Sequence, residues 1–122
     1  MKNFFTIMAL SFILQINVMA QSHHPQEFLD SIAGDNLAGQ KIVEHYCSVC
    51  HAKNPIVAIG APVIGNSIDW QPRLKNGMAK LFENTASGFN AMPARGGCFE
   101  CSDEQLMLAI IAMLPISNPD KK

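Results

Sequence analysis

The sequence predicts a small all-α domain of three to five short helices. Three observations carry that class. The chain has 122 residues, room for one ordinary domain. Apolar residues recur at helical spacing, most clearly Leu106, Ala109, Ile110 and Met113, and no run alternates as a half-buried strand does. Loops rich in Gly and Pro at 53–67 and 88–101 cut the rest into helix-length pieces. The length excludes a barrel enzyme and a two-domain nucleotide enzyme. There is no internal repeat and no low-complexity tract.

Residues 1–20 read as a secretory signal peptide. Lys2 supplies the positive start, 4–16 the apolar stretch, and Val18, Met19 and Ala20 the cleavage site before Gln21. The apolar stretch is short for a spanning helix, which needs about 20 residues. An uncut anchor facing the periplasm is the alternative. Cleavage leaves about 100 residues, enough to fold alone around a small core. Residues 21–34 read as a flexible lead-in, with His23 and His24 part of a solvated tail.

The folded domain is expected over 35–115. A first helix over 35–50 starts at Asp35 as N-cap and places Leu37, Ile42, Val43, Tyr46 and Cys50 near one face. Gly39 inside it costs about 1 kcal/mol against Ala, which is useful only where another element comes close. Short helices are expected over 69–76, with Pro72 in the first turn, and over 78–87, with Gly77 between them. The last helix begins in a capping box, Ser102 with Gln105. Asp103 and Glu104 favour its positive end, and Pro115 stops it. Residues 116–122 read as a tail.

Nine Lys plus Arg against ten Asp plus Glu give a formal charge of -1. That balance leaves no basic footprint, so nucleic acid is not an expected partner. It also gives weak long-range steering towards any protein partner.

Cys47-Ser48-Val49-Cys50-His51 is the stretch that carries chemistry. Cys-x-x-Cys-His is the attachment signature of c-type haem. Two thiols three residues apart can add to two neighbouring vinyl groups, and the following His then lies beneath the iron. Two other readings exist: a thioredoxin-like pair, whose strand–helix setting is absent, and half of a zinc site completed by Cys98 and Cys101. With haem, the second axial ligand decides the function, because a Met thioether closes the iron and raises its potential. Met78, Met92, Met107 and Met113 are available beyond the signal. Met92 alone lies in an irregular loop, stiffened by Pro93, and is the assigned ligand. His45, two residues before Cys47 on the same helix, is the rival and points elsewhere. Trp70 and Arg73 are candidates for donating to a haem propionate, the alternatives being a core indole and a solvated charge.

Taken together, the helix, the Cys47–His51 motif, Gly60-Ala61-Pro62, Asn90-Ala91-Met92-Pro93 and the terminal helix resemble class I cytochrome c. The segment Met92-Pro93-Ala94-Arg95-Gly96-Gly97-Cys98-Phe99-Glu100-Cys101-Ser102-Asp103-Glu104 is similar, more narrowly, to the cytochrome c-five subgroup. The resemblance spans 39–114. It implies one covalent haem c held by Cys47 and Cys50, and iron bound by His51 and Met92. It implies that the carbonyl of Pro62 accepts a hydrogen bond from the other nitrogen of His51. It implies a Cys98–Cys101 disulfide, and Gly39 at a close crossing of the first and last helices. One position departs from the pattern. Val43 stands where an aromatic is usual, with Tyr46 nearby.

The expected function is a periplasmic monohaem electron carrier, not an enzyme. It would act as a monomer that meets respiratory-chain donors and acceptors transiently and the membrane only indirectly. Loop residues around Cys47, Val63, Ile64 and Ala94 are the expected apolar docking patch. A haem enzyme or gas sensor would need the Met92 side open. A zinc module would need all four Cys.

Overall fold

The computed structural model describes residues 24–115. The expected signal and tail lie outside these residues. Among them, helices account for all regular structure except one isolated bridge between Phe89 and Met92.

The described residues open with a helix inside the segment expected to be a flexible lead-in. α1 spans Pro25–Ser31, with Pro25 in its first turn, and the following Ile32 closes it. Leu29 and Ile32 are 1% and 3% exposed and belong to the core, so α1 and the residue after it pack against the domain. Three apolar residues, Phe28, Leu29 and Ile32, suffice once they have a surface to cover.

The first long helix runs without a break from 38 to 51, but not as one regular coil. α2 covers Ala38–Ile42, a π-helical turn covers Val43–Cys47, and α3 covers Ser48–His51. Asp35 acts just ahead of α2, where its carboxylate accepts from the N–H of Leu37 (2.8 Å) and pairs with Lys41 (2.5 Å). Those contacts hold the Asp35 carboxyl below its ordinary pKa.

α4 spans Ser67–Leu74 and begins earlier than the sequence suggested. Asn66 caps it, accepting from the N–H of Ile68 at 3.0 Å. Pro72 therefore lies inside the helix rather than in its first turn. α5 spans Gly77–Ser87. α6 spans Asp103–Met113, and both halves of its capping box form: Gln105 N donates to Ser102 Oγ (3.1 Å) and Ser102 N to Gln105 Oε1 (2.8 Å).

α2 crosses α6, and the crossing is backbone against backbone. A Cβ built on Gly39 would stand 2.4 Å from the carbonyl oxygen of Leu108. Ile42, Leu106, Ala109, Ile110 and Met113 fill the seam on either side. Among the described residues no helix is long and apolar enough to cross a membrane. The architecture is the small all-α arrangement that the sequence predicts. It leaves a gap between α3, α4, α5 and the 88–97 loop.

Candidate functional site

That gap is a cavity of about 690 Å³. Cys47, Cys50 and His51 line it from the first long helix, Trp70 and Arg73 from α4, and Met92 from the loop after α5.

His51 is the best-defined group. It is 6% exposed, and its Nδ1 lies 2.8 Å from the carbonyl oxygen of Pro62. A carbonyl only accepts, so Nδ1 carries the proton and Nε2 keeps its lone pair. The 62–64 segment is held in turn by three hydrogen bonds. Ile64 N donates to His51 O (2.9 Å), Val63 N to Asp69 Oδ2 (2.9 Å), and Trp70 Nε1 to Val63 O (2.8 Å). The Trp70 ring lies nearly parallel to His51, at 6.2 Å and 16°. The Trp70 indole N–H donates to the Val63 carbonyl, so Trp70 braces the loop behind His51.

Cys47 and Cys50 are free thiols. Burial, with Cys50 beside it, pushes the Cys47 thiol up to about 11, so it stays neutral. Cys47 is the last residue of the π turn, which sets the direction in which it leaves the helix. Val43 is buried, and the aromatic bulk on this side comes from Phe28 and Tyr46, ring centroids 6.2 Å apart. His45 stacks on Phe28 at 4.3 Å. α1 thus supplies a partner that the sequence reading did not foresee.

Met92 arrives on a tight turn. Phe89 and Met92 exchange backbone hydrogen bonds of 3.1 and 2.9 Å, and Asn90 between them has φ 52°. Gly88 (φ 84°) lets the turn close, since a Cβ there would meet Ala94 N at 2.9 Å. After Pro93 the chain makes a 3-10 turn, Ala94–Gly97. A Cβ built on Gly96 would stand 3.6 Å from the Met92 methyl group. Met78 and Met113 pack with the core.

Cys98 and Cys101 are joined in a disulfide, with Cα atoms 5.4 Å apart and both side chains buried. Their sulfurs are thereby withdrawn from a four-cysteine zinc site. Among the described residues no group of three or more His, Cys, Asp and Glu is placed to hold a metal ion.

The lining fits an iron porphyrin. Its sulfur and imidazole donors suit a haem iron and its vinyl groups. Its charged side chains are two cations, Arg73 and Lys80, with no Asp or Glu among them, which suits a dianionic group. Tyr46, also on the wall, has a buried hydroxyl without a hydrogen-bond partner. Arg73 Nη1 is held by Asp69 O at 2.6 Å, and Lys80 pairs with Glu83 at 2.9 Å. Lys80 was not singled out from sequence. An exposed helical Lys looks ordinary until α5 is known to line the cavity. Ile64 packs against the core, and the exposed apolar residues on the cavity lining are Ile59 (39%) and Phe89 (55%).

Known proteins fit this geometry. The family model described as Cytochrome C oxidase, cbb3-type, subunit III matches residues 34–111. Cytochrome c5 of Azotobacter vinelandii is 38% identical over 79 residues, covering 63% of this chain and 92% of the relative. Cytochrome c5 of Ectopseudomonas mendocina is 34% identical over 85 residues, covering 68% and 94%. Among solved structures, an electron transfer complex of nitrite reductase with cytochrome c contains a similar chain. The TM-score is 0.56 with 34% identity, covering 62% of this chain and 89% of that one. From the matched residues and the helices and cavity they form, the chain belongs to this cytochrome c family and, within the class I cytochromes, to the c5 subgroup, with one covalently attached haem c.

Proposed function

We propose that the chain is a periplasmic electron carrier, not an enzyme, whose haem is held by thioethers to Cys47 and Cys50 and ligated by His51 and Met92. The observation that carries this reading is the convergence of all four side chains on one cavity, with His51 Nδ1 already committed to Pro62. The haem supplies one-electron Fe(III)/Fe(II) chemistry.

The protein's own residues hold that chemistry still. The Pro62 carbonyl fixes the His51 ring and makes its free nitrogen a better donor. Trp70 and Asp69 clamp Val63, so the Pro62 carbonyl cannot drift. Met92 closes the opposite side and favours the reduced state. Arg73 and Lys80 neutralise the propionates. Ile59 and Phe89 offer apolar contact to a partner. Such an encounter is small and transient, as redox contacts are. Donor and acceptor are respiratory-chain proteins, and the carrier works as a monomer. Residues 1–20 direct export, and cleavage before Gln21 leaves the membrane as an indirect contact.

The test is the visible spectrum of the exported protein, oxidised and reduced, with and without carbon monoxide. A low-spin spectrum indifferent to carbon monoxide, with the weak far-red sulfur-to-iron band when oxidised, is expected. A high-spin or carbon-monoxide-sensitive spectrum would make the protein an open haem enzyme or sensor.

A further inference from the structure

The Met92 loop contains a side chain that its own backbone does not favour. Arg95 has φ 57° and ψ 17°, in the left-handed region, followed by Gly96 at φ 59° and Gly97 at φ 83°. In such a run Gly is the unstrained residue, and any L side chain is disfavoured. Arg95 therefore occupies a place where backbone preference alone selects Gly.

Its side chain accounts for that. Nη2 donates to the carbonyl oxygen of Cys101 and to Asp103 Oδ1 (3.1 Å). The Arg95 side chain is 24% exposed, while that of Asp103 is 74% exposed. Cys101 closes the disulfide, and Asp103 is the first residue of α6. One guanidinium thus ties the turn that carries Met92 to the start of the last helix. Pro93 O accepts from Gly96 N (3.0 Å) and Arg95 O from Cys98 N (3.1 Å), so the tie is continuous from Met92 to the disulfide.

We infer that Arg95 is a positioning residue for the Met92 side of the iron: its guanidinium latches the Met92 loop onto Cys101 and Asp103, and so governs how readily Met92 yields to an external ligand. The inference rests on Met92 being the sixth ligand. The disulfide fixes only the far end of the loop, beginning at Cys98, six residues past Met92. Arg95 acts three residues from Met92. A charge-assisted hydrogen bond from a largely buried guanidinium is strong enough to set that opening equilibrium.

The experiment uses the intact haem protein in the ferric state and imidazole as the entering ligand. Imidazole affinity, the far-red sulfur-to-iron band and the thermal midpoint are measured for wild type, Arg95→Gln, Arg95→Gly, Arg95→Lys, Asp103→Asn and Met92→Ala. Arg95→Gln and Arg95→Gly are expected to bind imidazole about tenfold more tightly, the scale of one lost charge-assisted bond, with a weakened far-red band. Arg95→Lys should recover part of the effect, and Asp103→Asn should change affinity only about twofold, because the Asp103 carboxylate is itself exposed. Arg95→Gly separates latch from stability. It relieves backbone strain, so a purely structural side chain predicts unchanged imidazole affinity there. Wild-type affinity and far-red band in both Arg95→Gln and Arg95→Gly would overturn the latch. A Met92→Ala protein as closed to imidazole as wild type would overturn the ligand assignment itself. That result differs from failure of the latch alone, in which Met92→Ala opens the iron and the Arg95 variants do not.

Discussion

The two sides of the cavity are built on different principles. The His51 side is helical and cross-braced. His51 is buried, its Nδ1 bonds Pro62, and Val63 is gripped at both its N–H and its carbonyl by side chains of α4. The Met92 side is a loop with positive φ at Gly88, Asn90, Arg95, Gly96 and Gly97. It is held by a two-residue turn, a disulfide and one guanidinium. One side is fixed by regular secondary structure and the other by individual ties. Failure is therefore expected to begin at the Met92 loop, while the His51 side persists.

The contrast sets the size of each mutational effect. The largest belongs to His51→Ala. It removes the fixed donor and leaves the Pro62 carbonyl without its partner, so holoprotein yield after export should collapse. A normal yield of haem-loaded protein would break the comparison. Met92→Ala comes next. It should leave haem covalently attached, abolish the far-red band, admit carbon monoxide and lower the potential, as a redox titration would read. Gly88→Ala should follow, at about 2 kcal/mol, through overpacking against Ala94 N and a strained φ. Chemical denaturation measures the loss. Because the strain enters on the Met92 side, the far-red band should weaken at denaturant concentrations that leave the His51 side intact. The smallest effect is Trp70→Phe. It keeps the stacked ring and deletes the Nε1 bond to Val63 O, for about 1 kcal/mol. A far-red band as strong as wild type is expected, since the bond lies on the other side.

The parts legible in the sequence were those with dense local signals. The Cys47–His51 motif declares itself by spacing, and the Ser102–Gln105 capping box by residue type. Met92 stood out because it was the methionine in an irregular loop. Other features were settled by neighbours distant in the chain. α1 is seven residues long, too short to hold helix by propensity, and it exists because Leu29 and Ile32 are covered. The π turn at Val43–Cys47 has no local signature. The Trp70–Val63 hydrogen bond was not foreseen because an indole N–H pairs with whatever carbonyl the fold brings up. Lys80 gained meaning only when α5 was seen to line the cavity.

The crossing of Gly39 with Leu108 also says something about the order of events in a chain's life. That contact joins the beginning of the domain to its end across a large loop. A chain made from its N-terminus has Cys47–His51 in the open before Leu108 exists. The seam formed by Ile42, Ala109 and Ile110 then cannot shield the thiols during that interval. The architecture thus postpones its own closure until the last helix arrives. That leaves Cys47–His51 accessible as an unfolded thread until the C-terminal helix is in place.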